Sequence, residues 1–114
     1  MDDFLKQTLL YDFYGELLTS HQKEIYEQFV LEDLSLSEIA SGAGISRQGV
    51  HDLVRRCDQA LQGYEEKLHL VEKFLSIKEK VRRIDRELDR YETKENRPMV
   101  EDIRKISREI IEEL

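Results

Sequence analysis

A chain of 114 residues with 39% hydrophobic and 38% charged side chains can build one small core and carries enough charge for long, solvated helices. No apolar run approaches bilayer-spanning length, and the N-terminal MDDFLKQ lacks the basic flank of a signal peptide, so a cytoplasmic protein is expected. Cys57 is the sole cysteine, which excludes an internal disulfide and fits a reducing compartment.

Asp2 or Asp3 can cap a first helix running to about Leu18. Its apolar residues, Phe4, Leu5, Leu9, Leu10, Tyr11, Phe13, Tyr14 and Leu17, cover more than one face, which predicts burial on two sides. Thr19 followed by Gln22 forms a capping box that opens a short helix with Ile25, Tyr26, Phe29 and Val30 facing inward. After a turn over Asp33 to Ser35, the stretch LSEIASGAGISRQGVHDLVR, Leu36 to Arg55, reads as a helix-turn-helix. Ala40 is small where the two helices must touch. Gly44 supplies the positive φ that the turn requires. Ile39, Ile45, Val50 and Leu53 stand at the apolar positions expected to lock the helices together. Ser35 and Glu38 make a second capping box, and Ser46 suits the N-cap of the recognition helix. Residues 1–60 are therefore expected to form a helix-turn-helix domain of four short helices.

Beyond Leu53, the residues Cys57, Leu61, Tyr64, Leu68, Val71 and Leu75 recur at spacings near three and four. A second stripe, Ile77, Val81, Ile84, Leu88 and Tyr91, is out of phase with the first. This predicts a long helix, bent or interrupted near Gly63 or Ser76. Glu92 to Arg97 is a polar break, and Pro98 suits the first turn of a last helix that gathers Met99, Ile103, Ile106, Ile110 and Leu114 on one face. With no strand-like alternation, the expected fold is all-α, residues 61–114 forming a C-terminal helical extension. A long helix cannot bury its seam against itself. Leu61, Tyr64, Leu68, Val71, Leu75, Val81, Ile84 and Leu88 are thus the candidate packing or dimer seam, and a homodimer is expected.

The formal net charge of −7 is unevenly spread. Residues 1–35 hold eight acids against two bases, residues 36–56 two acids against three bases, and residues 57–114 fifteen acids against thirteen bases. Phosphate binding needs Lys and Arg, so the acidic remainder opposes a nucleic-acid role that the motif itself favours. On the recognition helix Ser46, Arg47, Gln48, His51, Asp52 and Arg55 are not needed for packing. Arg47 could pair with guanine and Gln48 with adenine, while Ser46, Arg55 and Arg56 could meet phosphate. The same polar face could equally keep a structural helix solvated. Lys78 to Arg90 mixes six bases with four acids, which fits either an anionic partner or an exposed helix.

Other chemistry has little support. His21, His51 and His69 are too far apart in sequence to share a helix face, so no metal site is expected. Cys57 lies on the apolar stripe as a small hydrophobe, and Glu65–Glu66 and Glu112–Glu113 read as solvated helix faces. There is no Gly-rich phosphate loop, no cofactor motif and no nucleophile with its base; a non-enzyme is expected.

The segments YGELLTSHQ, LEDLSLSEIA, ISRQGVHDLVRR and YEEKLHL, in order between Tyr14 and Leu70, resemble the YlxM family of bacterial proteins. That family's helix-turn-helix is similar to region 4 of sigma factors, which reads the −35 promoter element. Its members are encoded beside the signal recognition particle GTPase. The resemblance implies a sigma-region-4-like domain followed by a long helix and a closing C-terminal helix. It also implies an accessory or regulatory role in the signal recognition particle pathway, with the GTPase or the particle's RNA as partner. A sequence-specific DNA-binding transcription regulator is the alternative. Gly49 stands where the family usually has Ala, a change that weakens an exposed helix by about 1 kcal/mol. No function carries over beyond Leu70.

Overall fold

A computed structural model describes residues 3–114. The described residues form helices and connecting turns without a strand: α1 (Asp3–Tyr14), α2 (Ser20–Val30), α3 (Leu36–Ala43), α4 (Arg47–Leu68), α5 (Leu70–Tyr91) and α6 (Arg97–Glu112). The chain divides into two compact units, one ending at Val71 and the other spanning Glu72–Leu114.

In the first unit, α4 is the central post and touches each of α1, α2 and α3. Val50, Val54, Cys57 and Leu61 form its buried stripe, all but Val54 fully enclosed. Facing them are Leu10, Tyr11 and Tyr14 from α1, Ile25, Tyr26 and Val30 from α2, and Ile39 and Ala40 from α3. The tyrosines do double duty, since their rings fill the core while their hydroxyls must find acceptors. Tyr11 and Tyr26 stack with centroids 5.7 Å apart. The Tyr11 hydroxyl donates to Glu27, and the Tyr26 hydroxyl donates to Asp58, which also accepts from Gln7 Nε2 at 3.2 Å.

The capping boxes appear where the local pattern places them. Gln22 N donates to Thr19 Oγ1 at 3.2 Å, and Thr19 N donates back to Gln22 Oε1 at 3.0 Å. Ser35 and Glu38 repeat the arrangement at 3.1 Å in both directions. The first helix is shorter than its apolar pattern suggests. It ends at Tyr14, and Gly15–Leu17 tighten into a 3₁₀ turn. Gly15 is required there, because a Cβ would sit 2.7 Å from the Tyr11 ring. Asp3 opens α1, whereas the capping role expected of Asp2 lies outside the described residues.

The largest departure lies after α4. The fourth helix is not short: it runs for 22 residues, straight through Gly63 and past residue 60, and the break comes at His69 rather than at Gly63 or Ser76. His69 adopts the left-handed conformation (φ 56°), and its N–H closes α4 on Glu65 O at 2.8 Å. The first N–H groups of α5 then lack helical partners. Leu70 N donates to Tyr14 Oη at 3.1 Å, Val71 N donates to Glu65 Oε1 at 2.9 Å, and Tyr14 Oη–H donates to the same carboxylate oxygen at 2.6 Å. Glu65 is therefore a half-buried clamp, not the solvated acid suggested by its charge-rich neighbourhood.

In the second unit, the Glu92–Asn96 connection is held by Thr93 and Asn96. Thr93 N donates to Asn96 Oδ1 at 2.6 Å, and Asn96 Nδ2 donates to Tyr91 O at 2.9 Å. Pro98 occupies the first turn of α6. Arg104 of α6 reaches Asp85 at 3.7 Å and also Asp89, tying α6 back to α5. Val100 and Ser107 are the buried residues of α6, while Met99, Ile106, Ile110 and Leu114 are exposed.

Two substitutions test this account of the chain. Tyr14→Phe deprives the Leu70 N–H and the Glu65 carboxylate of a partner, and should lower the urea-unfolding free energy by about 1–2 kcal/mol. Gly63→Ala meets nothing within 4 Å and should raise it by about 0.5–1 kcal/mol.

Candidate nucleic-acid interface

The helix-turn-helix is built from α3, the turn at Gly44 and the first half of α4. Gly44 has φ 71° and donates its N–H to Ala40 O at 3.0 Å, closing α3 in the left-handed form that glycine tolerates. Ser46 caps α4, its Oγ accepting from Gly49 N at 2.9 Å. Its hydroxyl proton can still be given to an anion. Gly49 is more than a weak helix former, since a Cβ there would lie 3.1 Å from the Ser46 hydroxyl that folds over it. The packing positions are met in part. Ile39, Ala40 and Val50 are buried, Leu53 is half-buried, and Ile45 remains 37% exposed, while Val54 sits in the core instead.

Burying Val50, Val54, Cys57 and Leu61 turns the opposite side of α4 outward. Gln48, His51, Arg55 and Arg56 are exposed there, and Arg47, in the first turn of α4 ahead of the buried stripe, is exposed beside Ser46. Among the described residues, none pairs with Arg47, Arg55 or Arg56. Asp52 is the one acid in the group. It accepts a hydrogen bond from Gln48 Nε2 at 3.0 Å, and His51 Nδ1 lies 3.7 Å from the same oxygen. Asp52, Arg55, Arg56 and Gln59 line a shallow surface groove. Three unpaired guanidiniums with one amide between them can meet phosphates and base edges.

The expected seam residues lie in different settings. Leu61, Val71 and Val81 are buried within the chain itself. Tyr64 is half-buried with its ring 6.0 Å from that of Tyr14, Leu75 and Leu88 are half-buried, and Leu68 and Ile84 are exposed. Asp58, which organises Gln7 and Tyr26, was not singled out by any motif; its clue is its place one residue from the buried Cys57 on α4. Among the described residues, no group of three or more His, Cys, Asp or Glu side chains is placed to hold a metal, and no helix is long and apolar enough to cross a membrane.

Burial pushes the Cys57 thiol up to about 11, with the Asp58 charge adding to the effect, so at neutral pH it is a protonated core group. Burial first, and then the accepting carboxylates, also raise Tyr11 and Tyr26. The Ser35 backbone N–H and hydroxyl hold the Glu38 carboxyl below its usual range.

A family model described as "Putative helix-turn-helix protein, YlxM / p13 like" (UPF0122) matches residues 1–103. A UPF0122 protein of Thermoanaerobacter sp. strain X514 is 46% identical over 112 residues, covering 97% of this chain and 96% of the relative. One from Caldanaerobacter subterraneus is 53% identical over 83 residues, covering 73% and 71%. One from Desulforamulus reducens is 42% identical over 112 residues, covering 98% and 96%.

The raised core groups set a pH dependence. Neutral in the fold, they contribute stability that is full below their ordinary values and fades as pH climbs through the folded ones. For Cys57 that window runs from about 9 to about 11. Unfolding free energy from urea titrations should stay level from neutral pH to about 9, fall from there to about 11, and fall less steeply in Cys57→Ala.

Proposed function

Because the chain belongs to the YlxM/p13-like helix-turn-helix family, we propose that it is a non-catalytic regulatory protein that engages nucleic acid through the outward face of α4. One observation carries this reading. The recognition helix is locked by capping and packing, yet Arg47, Arg55 and Arg56 project from it without a partner among the described residues. Ser46, Arg47, Gln48 and His51 at its N-terminal end are the base and phosphate contacts, and Arg55 and Arg56 are further phosphate contacts. The resemblance to region 4 of sigma factors supports duplex DNA as the ligand.

The acidity of the chain favours a second role alongside the first. Residues 1–35 carry eight acids and two bases, a surface suited to basic protein partners. Together with the YlxM resemblance this supports regulation of the signal recognition particle pathway in the cytoplasm, through contact with its GTPase; contact with its RNA would fall to the basic side chains of α4 instead. The exposed Ile84 on α5 and Met99, Ile106 and Ile110 on α6 support a homodimer through the second unit. Such a dimer would offer two recognition helices to paired half-sites.

Unbiased duplex selection, run beside a binding assay with the signal recognition particle, tests the proposal. A preferred DNA sequence should emerge. Arg47→Ala combined with Gln48→Ala should weaken its binding by about ten-fold or more, and affinity should fall steeply with added salt. An unchanged affinity for every selected duplex would remove the DNA reading. If the particle's GTPase and RNA also fail to bind at micromolar concentration, the pathway role goes with it.

A further inference from the structure

The geometry points to Asp52 as the positioning residue that sets Gln48 to read adenine, an inference that rests on the DNA reading above. Gln48 and Asp52 lie one turn apart on the outward face of α4, and Gln48 Nε2 donates to Asp52 Oδ1 at 3.0 Å. A carboxylate can only accept, so the amide must turn its NH₂ group toward Asp52 and cannot present the reverse orientation. The amide NH₂ has two hydrogens. When the one directed back along the side chain serves the carboxylate, the other remains beside Oε1 on the free edge. That free donor–acceptor pair is what adenine N7 and N6–H₂ require. A glutamine that rotates freely would present either order and read less sharply.

The neighbours support this use of Asp52. Arg55 and Arg56 stand three and four residues further along α4, at spacings where an acid commonly pairs with a base. Yet Asp52 turns to Gln48, with only His51 Nδ1 near the same oxygen at 3.7 Å. An acid on a DNA-facing surface thus has a function there, at some cost in affinity for phosphate. Gln48 is the second residue of α4, in the turn that enters a major groove first.

Duplex selection with the full-length protein tests this through base preference, which a purely electrostatic or structural Asp52 would not move. Wild type should enrich adenine at one position of the site, and Gln48→Ala should lose that preference. Asp52→Ala should bind all duplexes somewhat more tightly while its preference for adenine there falls about five-fold or more. Asp52→Glu, also acceptor-only, should retain most of the preference. Adding Asp52→Ala to Gln48→Ala should leave the preference at that position unchanged. If the wild type enriches no sequence, the DNA reading itself is overturned and this inference with it. If a site emerges but Asp52→Ala keeps the wild-type preference, or adenine there does not depend on Gln48, the inference alone is overturned.

Discussion

The burial of one stripe on α4, Val50, Val54, Cys57 and Leu61, sets the orientation of everything around it. Three preceding helices close over that stripe, and fully burying an aliphatic side chain contributes roughly 1.5–3 kcal/mol. With those four residues inward, helical periodicity leaves Gln48, His51 and Arg55 no direction but outward, while Arg47 is exposed because it stands in the first turn, ahead of the stripe. The polar outward face of α4 is thus a consequence of core packing. Two of the three core tyrosines, Tyr14 and Tyr26, each anchor a hydroxyl on an acid of α4, Glu65 and Asp58. A buried hydroxyl left without an acceptor would be costly, so these pairs also fix how α1 and α2 sit on α4.

The second consequence appears at the far end of α4. Its last turns carry Glu65 to where Tyr14 waits, and that pair takes up the free N–H groups of Leu70 and Val71. A helix can start wherever its first donors are satisfied, and here one partner, Tyr14, comes from a helix more than fifty residues earlier, and the other, Glu65, from the last turns of α4. The left-handed His69 lets α4 end and α5 begin with a single residue between them. The boundary between the two compact units follows directly after this clamp.

This division explains what could be read in the sequence. The capping boxes at Thr19 and Ser35, the cap at Ser46 and the turn at Gly44 are local, each settled within three or four residues, and pattern reading finds them. The family resemblance reached the same motif. The break at His69 was missed because its cause is the long-range Tyr14–Glu65 pair, and no Gly or Pro marks it. Gly63, which does resemble a break, is an ordinary helical residue with open space at its side. The exchange of Leu53 for Val54 in the core is a smaller miss, since neighbouring apolar residues on a helix differ only by a rotation that tertiary packing decides. Of the candidate interface, the residue types and their exposure were legible, with Asp52 among the residues not needed for packing. Its partner Gln48 sits at the i,i+4 spacing that could have suggested the hydrogen bond.

On the proposed reading, the outward face of α4 is where this protein meets nucleic acid. Amide and side-chain NMR shifts of the full-length protein, followed while a selected duplex is added, measure this most directly. The account predicts that the perturbations concentrate on Ser46, Arg47, Gln48, His51 and Arg55 and that the buried stripe of α4 keeps its resonances. Shifts confined to α5 and α6, with the Ser46–Arg55 signals unmoved at saturation, would contradict it.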